Sequence, residues 1–380
     1  MIQADIPMQS ENGQRFHIPE LDGLRFIAFL LVFIHNANPI LKGTFLETFS
    51  AYSWFGVDLF FCLSAFLITK LLVTEYRQMG KINIRNFYIR RILRIGPLYF
   101  FYIIVGMIIM APMEGRNINI PGHLASLATF TFNIGYFALL PSPILIFIHL
   151  WSISFEEQFY VVIPWLVRRL SQVREKWSWT HIGIAYLIGS LIRALFIHYQ
   201  FRHPAIYFLP VTHFDSMIGG VILGLGLLDD LFEHFQEKFL LLTGVLCLSA
   251  LFLLPNNDVI GWGLMLTYPL IGLGMSLIVF SVTRQNHDRF SKLISNNVFI
   301  YLGKISYGLY IFHFSAFILI VTMLSNWLGL QQLEYPKYTI PVLLGGITLT
   351  VVFSVISYNL LEKPFLKWKE RFSLISSHPS

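Results

Sequence analysis

Charge is what this sequence has least of. Of its 380 residues, 13% are Asp, Glu, Lys or Arg, 55% are hydrophobic, and the mean hydropathy is +0.63. Soluble globular chains average about 25% charged residues. So few charges cannot cover the surface of a water-soluble protein of this size, and a polytopic membrane protein remains. Cysteine is nearly absent too. Cys62 and Cys247 each sit within an apolar run and read as small hydrophobes, which leaves no disulfide framework and no metal site. No small-residue cleavage site follows the first apolar run, so that run reads as a retained span and not as a signal peptide. No internal repeat is visible, and the inverted-repeat signature of secondary transporters is not evident. The net charge of +6 comes from basic residues scattered between apolar runs. That pattern marks loops on one membrane side and argues against a nucleic-acid partner.

What is present is a series of apolar runs. A span needs about 20 mostly apolar residues. Runs of that kind cover roughly 22–40, 52–73, 92–111, 145–167, 181–199, 211–228, 239–255, 263–283, 300–325 and 339–361. The stretch 123–140 is apolar as well, but holds Asn133, Gly135 and several Ser and Thr. Loop charge decides whether it crosses. Arg77, Lys81, Arg85, Arg90, Arg91 and Arg94 form one acid-free basic group, and Arg168, Arg169, Arg174 and Lys176 a second. Further groups are Arg284, Arg289 and Lys292, and Lys363, Lys367, Lys369 and Arg371. All four share a side only if 123–140 does not cross, so it is expected to be re-entrant or interfacial. The expected fold is an all-α transmembrane bundle of about ten spans with both termini cytoplasmic. It forms a single domain over 1–380, with a polar N-terminus at 1–20 and a tail at 362–380. No fused soluble catalytic domain is expected.

Ionisable residues inside apolar spans are costly and mark function by default. Arg25 and His35 share the first span, about 15 Å apart at ~1.5 Å rise per residue. The topology places His35, Asp58, Glu156 and Asp215 toward the outer half, with His149, Trp151, Glu157 and His213 nearby. The cationic cluster at 85–94 lies opposite. Each has a plainer reading. Arg25 could snorkel, the arginine pairs could anchor topology, and Trp151 could belong to an aromatic belt. Carboxylates and histidines at one depth suggest a catalytic site with a histidine base oriented by a carboxylate. They equally suggest a proton relay in a transporter.

Seven blocks resemble, in order, the acyltransferase-3 family of integral-membrane O-acyltransferases. They are IPELDGLRFIAFLLVFIH from Ile18, WFGVDLFFCLSAFLITKLL from Trp54, NFYIRRILRIGPLYF from Asn86, HLWSISFEEQFYVVIP from His149, HFDSMIGGVILG from His213, LGKISYGLYIFH from Leu302 and SYNLLEKPF from Ser357. The resemblance implies transfer of an acyl group, most often acetyl from cytoplasmic acetyl-CoA, to a hydroxyl of a cell-surface carbohydrate. It implies a bacterial inner-membrane location and no bound cofactor beyond the acyl-CoA donor. The expected partners are membrane lipid, acyl-CoA and a carbohydrate acceptor, with room for a homo-oligomer. The rival reading is a proton-coupled transporter or exporter of a sugar-like or acylated solute.

Carried onto this chain, the resemblance implies functional roles for His35 and Glu156, and the pattern of the residues themselves adds Asp58 as a catalytic candidate. Arg25, Arg90, Arg91, Arg94 and Lys363 would bind acyl-CoA, and Trp151, Ser152, Asp215 and Glu362 are further site candidates. Asp58 or Glu156 would hold the tautomer of His35. A covalent acyl-His35 is the alternative to a general base. Two positions depart from the family pattern. Nine residues separate Arg25 from His35 where the family has ten, and a ten-residue step leaves two side chains about 80° apart on a helix. An extra-residue bulge would restore the register. Ala65 also stands where the family often has Gly.

Overall fold

A computed structural model describes residues 18–110, 119–138, 144–172, 175–284, 289–329 and 337–372. Among these, every regular element is a helix. The longer ones are α1 (Pro19–Asn36), α2 (Gly56–Met79), α3 (Ile84–Met110), α4 (Ile120–Ala128), α5 (Phe132–Ala138), α6 (Trp151–Gln172) and α7 (Glu175–His198). They continue as α8 (Asp215–Leu225), α9 (Glu237–Ser249), α10 (Leu264–Thr283), α11 (Asn297–Lys304), α12 (Ser306–Leu328), α13 (Thr339–Ser357) and α14 (Lys363–Glu370).

Six helical stretches among the described residues are long and apolar enough to cross a membrane. They contain α2, α3, α7, α10, α12 and α13. The chain is therefore an integral membrane protein, but length and apolarity support six spans where the sequence pattern suggested about ten. The reason lies in the other four runs. α1 carries Glu20, Asp22 and Arg25, and α6 carries Glu156, Glu157, Arg168 and Arg169. α8 and α9 have 11 and 13 residues. A helix enclosed by protein, as α8 is, needs neither full length nor an apolar surface, because its neighbours replace the lipid; α9 is short yet exposes Phe239, Leu242, Val245 and Leu246.

Close packing at glycine shows how α8 is enclosed. A Cβ at Gly220 would lie 2.4 Å from the Cys62 carbonyl oxygen of α2, and one at Gly224 would lie 2.5 Å from Thr69. On its other side Gly219 sits against Ser276 of α10. The start of α2 meets α1 in the same way, with Gly56 against Ala28, Leu31 and Val32. The side chains of α7 instead point outward, with Ile184, Leu187, Ile188, Leu191 and Leu195 exposed, as suits a lipid-facing helix.

The segment 123–140 does not form one helix. α4 and α5, of 9 and 7 residues, are broken by a turn at Thr129–Phe130, where Phe130 adopts a φ of 52°. Neither is long enough to cross. The turn is tied down by Gln158 of α6, whose amide donates to the Phe130 carbonyl at 2.9 Å. The expected basic residue Arg174 and residues 285–288 lie outside the described residues.

Candidate active site

One cavity runs along α2 from Val57 to Leu71, a length of about 21 Å at 1.5 Å per residue. Its volume is about 1260 Å³ with the open mouth included. Its walls come from the N-terminal turns of α1 (Asp22, Arg25), from α3 (Arg91, Arg94), from α6 (Ser152, Glu156, Tyr160) and from α12 (Ser306, Tyr307, Tyr310). Because Gly56 abuts the 28–32 turn of α1, the Val57 end points toward His35 and the Leu71 end away from it.

Cations gather away from the Val57 end. Arg25 donates to Asp22 at 2.5 Å, one turn earlier on α1. Arg91 lies over the rings of Phe87 and Tyr160 at 5.8 and 5.7 Å, and its buried Nε has no hydrogen-bond partner among the described residues. Ring faces hold a cation but do not neutralise it; Glu157 is a carboxylate among the electrostatic neighbours of Arg91, and the unmet Nε leaves Arg91 a donor that an anionic ligand would satisfy. Arg94 is an electrostatic neighbour of Arg25 and Glu362. Arg90 points elsewhere. It donates to the Phe372 carbonyl at 2.8 Å and pairs with Glu75 at 3.2 Å, fastening the residues just after α14 to α2.

Hydroxyls and a carboxylate occupy the rest of the cavity. Tyr160 donates to Glu156 and meets Ser64 Oγ at 2.5 Å. A phenol has one proton, so with that proton on Glu156 the Ser64 hydroxyl must donate to Tyr160. Nearer the Val57 end, Ser152 Oγ and the Tyr310 hydroxyl lie 2.5 Å apart; Tyr310 donates to the His149 carbonyl at 2.9 Å, so the short contact takes its proton from Ser152.

His35 is not among the residues lining this cavity. Its Nδ1 lies 3.1 Å from the Ser50 carbonyl. A carbonyl only accepts, so Nδ1 carries the proton and Nε2 the lone pair. The tautomer is thus set by a main-chain oxygen, in place of the expected Asp58 or Glu156. α1 is α-helical throughout Pro19–Asn36, so no bulge restores the register, and Arg25 and His35 face different surroundings. Asp58 forms a separate buried cluster: its Oδ1 meets His213 Nε2 at 2.9 Å and accepts from Ser216 at 2.6 Å. His213 Nδ1 is fixed on the Tyr207 carbonyl at 2.8 Å.

The remaining candidates scatter. Asp215 is clamped by the buried Arg193 and accepts from Tyr186 at 2.9 Å. Trp151 stacks on Phe208 with ring centroids 4.4 Å apart. Glu362 ends a π-helical turn, Tyr358–Glu362, and is buried near Ser357. An extra residue in the turn re-aims such a side chain. Lys363 is exposed. Arg25, Arg91, Arg94, Ser152 and Glu156 therefore share the cavity, whereas His35, Asp58, Arg90, Trp151, Asp215, Glu362 and Lys363 do not line it. Sequence reasoning passed over Ser64, Tyr160 and Tyr310. Tyr160 was findable, since it lies four residues after Glu156 and on the same helix face.

The family model described as an acyltransferase domain (acyltransferase-3) matches residues 18–359. The chain belongs to the acyltransferase-3 family. Among similar proteins is one of Staphylococcus aureus (strain COL) named "Putative O-acetyltransferase", 29% identical over 373 residues. Another is the O-acetyltransferase OatA of Staphylococcus aureus (strain NCTC 8325 / PS 47), 27% identical over 374 residues. Each alignment covers 92% of this chain, but only 58% and 57% of the respective relative. No solved structure matches the chain significantly. The acyltransferase-3 match covers the whole cavity, from Ile18 to Tyr310.

Proposed function

We propose that the protein is a membrane O-acetyltransferase. It takes an acetyl group from acetyl-CoA and transfers it to a hydroxyl of a cell-surface carbohydrate. The observation that carries this reading is the cavity itself. It joins Arg91, whose buried Nε has no hydrogen-bond partner among the described residues, and its neighbours Arg94 and Arg25 to a hydroxyl-lined end near Tyr310, in a chain of the acyltransferase-3 family.

Acetyl-CoA suits both ends. Its phosphates are anions of the kind arginine recognises best. Its flexible arm separates those phosphates from the thioester, so one bound donor can reach from the arginines to the Ser152–Tyr310 end. His35 then serves as general base from the far side. Its Nε2 lone pair takes the hydroxyl proton of the acceptor while the acceptor oxygen attacks the acetyl carbon. The names of the Staphylococcus aureus relatives favour acetyl transfer to oxygen. The basic loops favour a cytoplasmic donor side, an inner-membrane location and cytoplasmic termini.

The test is free-CoA release by purified protein supplied with acetyl-CoA and envelope glycan. Release is expected from the wild type and is expected to vanish in His35→Ala, with the folded protein retained. A wild type that releases no CoA, or a His35→Ala variant as active as the wild type, would sink the assignment.

A further inference from the structure

Six histidines among the described residues place one ring nitrogen on a main-chain carbonyl, His123 and His203 among them; the other four lie around the candidate site. The pairs are His35 Nδ1 with Ser50 (3.1 Å), His149 Nε2 with Ile311 (3.1 Å), His213 Nδ1 with Tyr207 (2.8 Å) and His313 Nδ1 with Tyr310 (2.5 Å). In each the bonded nitrogen keeps its proton, and the other nitrogen is the one free to gain one. For His213 that second nitrogen faces Asp58. For His149 and His313 it is Nδ1 and Nε2 respectively, each buried without a hydrogen-bond partner among the described residues. A phenylalanine at either position would fill the volume without leaving an acceptor unmet, so packing does not account for these imidazoles.

Their location is specific. The rings of His149 and His313 are 5.2 Å apart, and both pack on Tyr310, at 5.7 and 5.5 Å. Tyr310 lines the cavity. On the other side, His313 meets Phe29 of α1 at 6.4 Å and is an electrostatic neighbour of His35. The pair therefore stands between His35 and the cavity, where the proposed reaction has a proton to move.

We infer that His313 and His149 carry the proton taken from the acceptor hydroxyl across to the CoA sulfur. The inference rests on the acetyl-transfer reading. His35 Nε2 accepts the acceptor's proton as the new C–O bond forms and the C–S bond breaks, releasing a thiolate at the Tyr310 end. The proton passes by way of intervening water from His35 to His313 Nε2, then to His149 Nδ1, and then to the thiolate. The products are the acetyl ester, CoA thiol and three neutral imidazoles. The carbonyl bonds of Tyr310 and Ile311 hold both tautomers fixed, so each ring gives up the proton from the nitrogen that received it.

Two substitutions separate this role from packing. His313→Asn keeps an N–H for the Tyr310 carbonyl, and His149→Gln keeps one for the Ile311 carbonyl, while each removes the basic nitrogen. The assay uses membranes carrying the full chain, radiolabelled acetyl-CoA as donor and the glycans of those membranes as acceptor. Each variant is expected to lose about 100-fold in kcat, the scale of a lost proton-transfer group, with KM for acetyl-CoA unchanged. A proton inventory of the wild type in H2O–D2O mixtures is expected to curve, since the relay protons move together in one rate-limiting transition state. Labelling lost in His35→Ala but kept in both conservative variants would overturn the relay alone, as would a straight-line inventory. A wild type that labels nothing would overturn the acetyl-transfer reading and the relay with it.

Discussion

Tyr160 donates its phenolic proton to Glu156, one turn earlier on α6, and thereby obliges Ser64 of α2 to donate to Tyr160. The chain of three orients Glu156 inside the cavity and ties α6 to α2. Tyr160→Phe keeps the ring under Arg91 but removes the hydroxyl. Hydrogen bonds to charged groups contribute about 1.5–3 kcal/mol, so a lower thermal midpoint is expected, together with roughly tenfold slower transfer if half of that energy is used in the transition state. Unchanged kinetics would show that Glu156 does not need this orientation.

Neighbouring arginines are expected to behave differently. Arg91→Ala removes a cavity cation, so KM for acetyl-CoA should rise and the thermal stabilisation given by the ligand should shrink. Arg90→Ala breaks the ties to Glu75 and Phe372, so the thermal midpoint should fall while KM holds. Thermal unfolding with and without acetyl-CoA reads both outcomes, and equal KM effects would refute the division.

Asp58 is buried with His213 and Ser216. Asp58→Ala leaves both former partners buried and unmet, a change that costs about 3–5 kcal/mol when a buried pair is broken. Loss of folded protein is the expected result, measured by thermal unfolding in detergent. A variant that folds normally yet transfers nothing would instead assign Asp58 a direct part in the chemistry.

Gly220→Ala would place a methyl 2.4 Å from the Cys62 carbonyl oxygen. Overpacking of this kind costs about 1–3 kcal/mol. Since α2 lines the cavity with eight residues from Val57 to Leu71, the shift should also weaken acetyl-CoA binding. Ligand titration of the variant checks it.

The all-helical membrane fold was legible because it follows from composition: too little charge to face water, and apolar runs of spanning length. Loop charge argued that 123–140 does not cross; its break into two short helices at Thr129–Phe130 became visible only in the structure. The number of lipid-facing spans was not legible either. α1 and α6 carry charge that only enclosure by other helices makes affordable, and hydropathy along a chain does not reveal what surrounds a helix.

The first span carries the same lesson. The sequence alone determined that Arg25 and His35 stand far apart and on different faces, because helical rise and rotation follow from residue count. Tertiary structure decided what each one meets. Arg25 faces Asp22 and the cavity, and His35 faces the Ser50 carbonyl, with His313 as its neighbour. The sequence also could not bring Ser64 to Tyr160 or His149 to His313, partners 96 residues apart in the first case and on separate helices in the second. Such pairings depend on which helix faces pack together, and long-range packing, unlike helical geometry, is not written in the local order of residues.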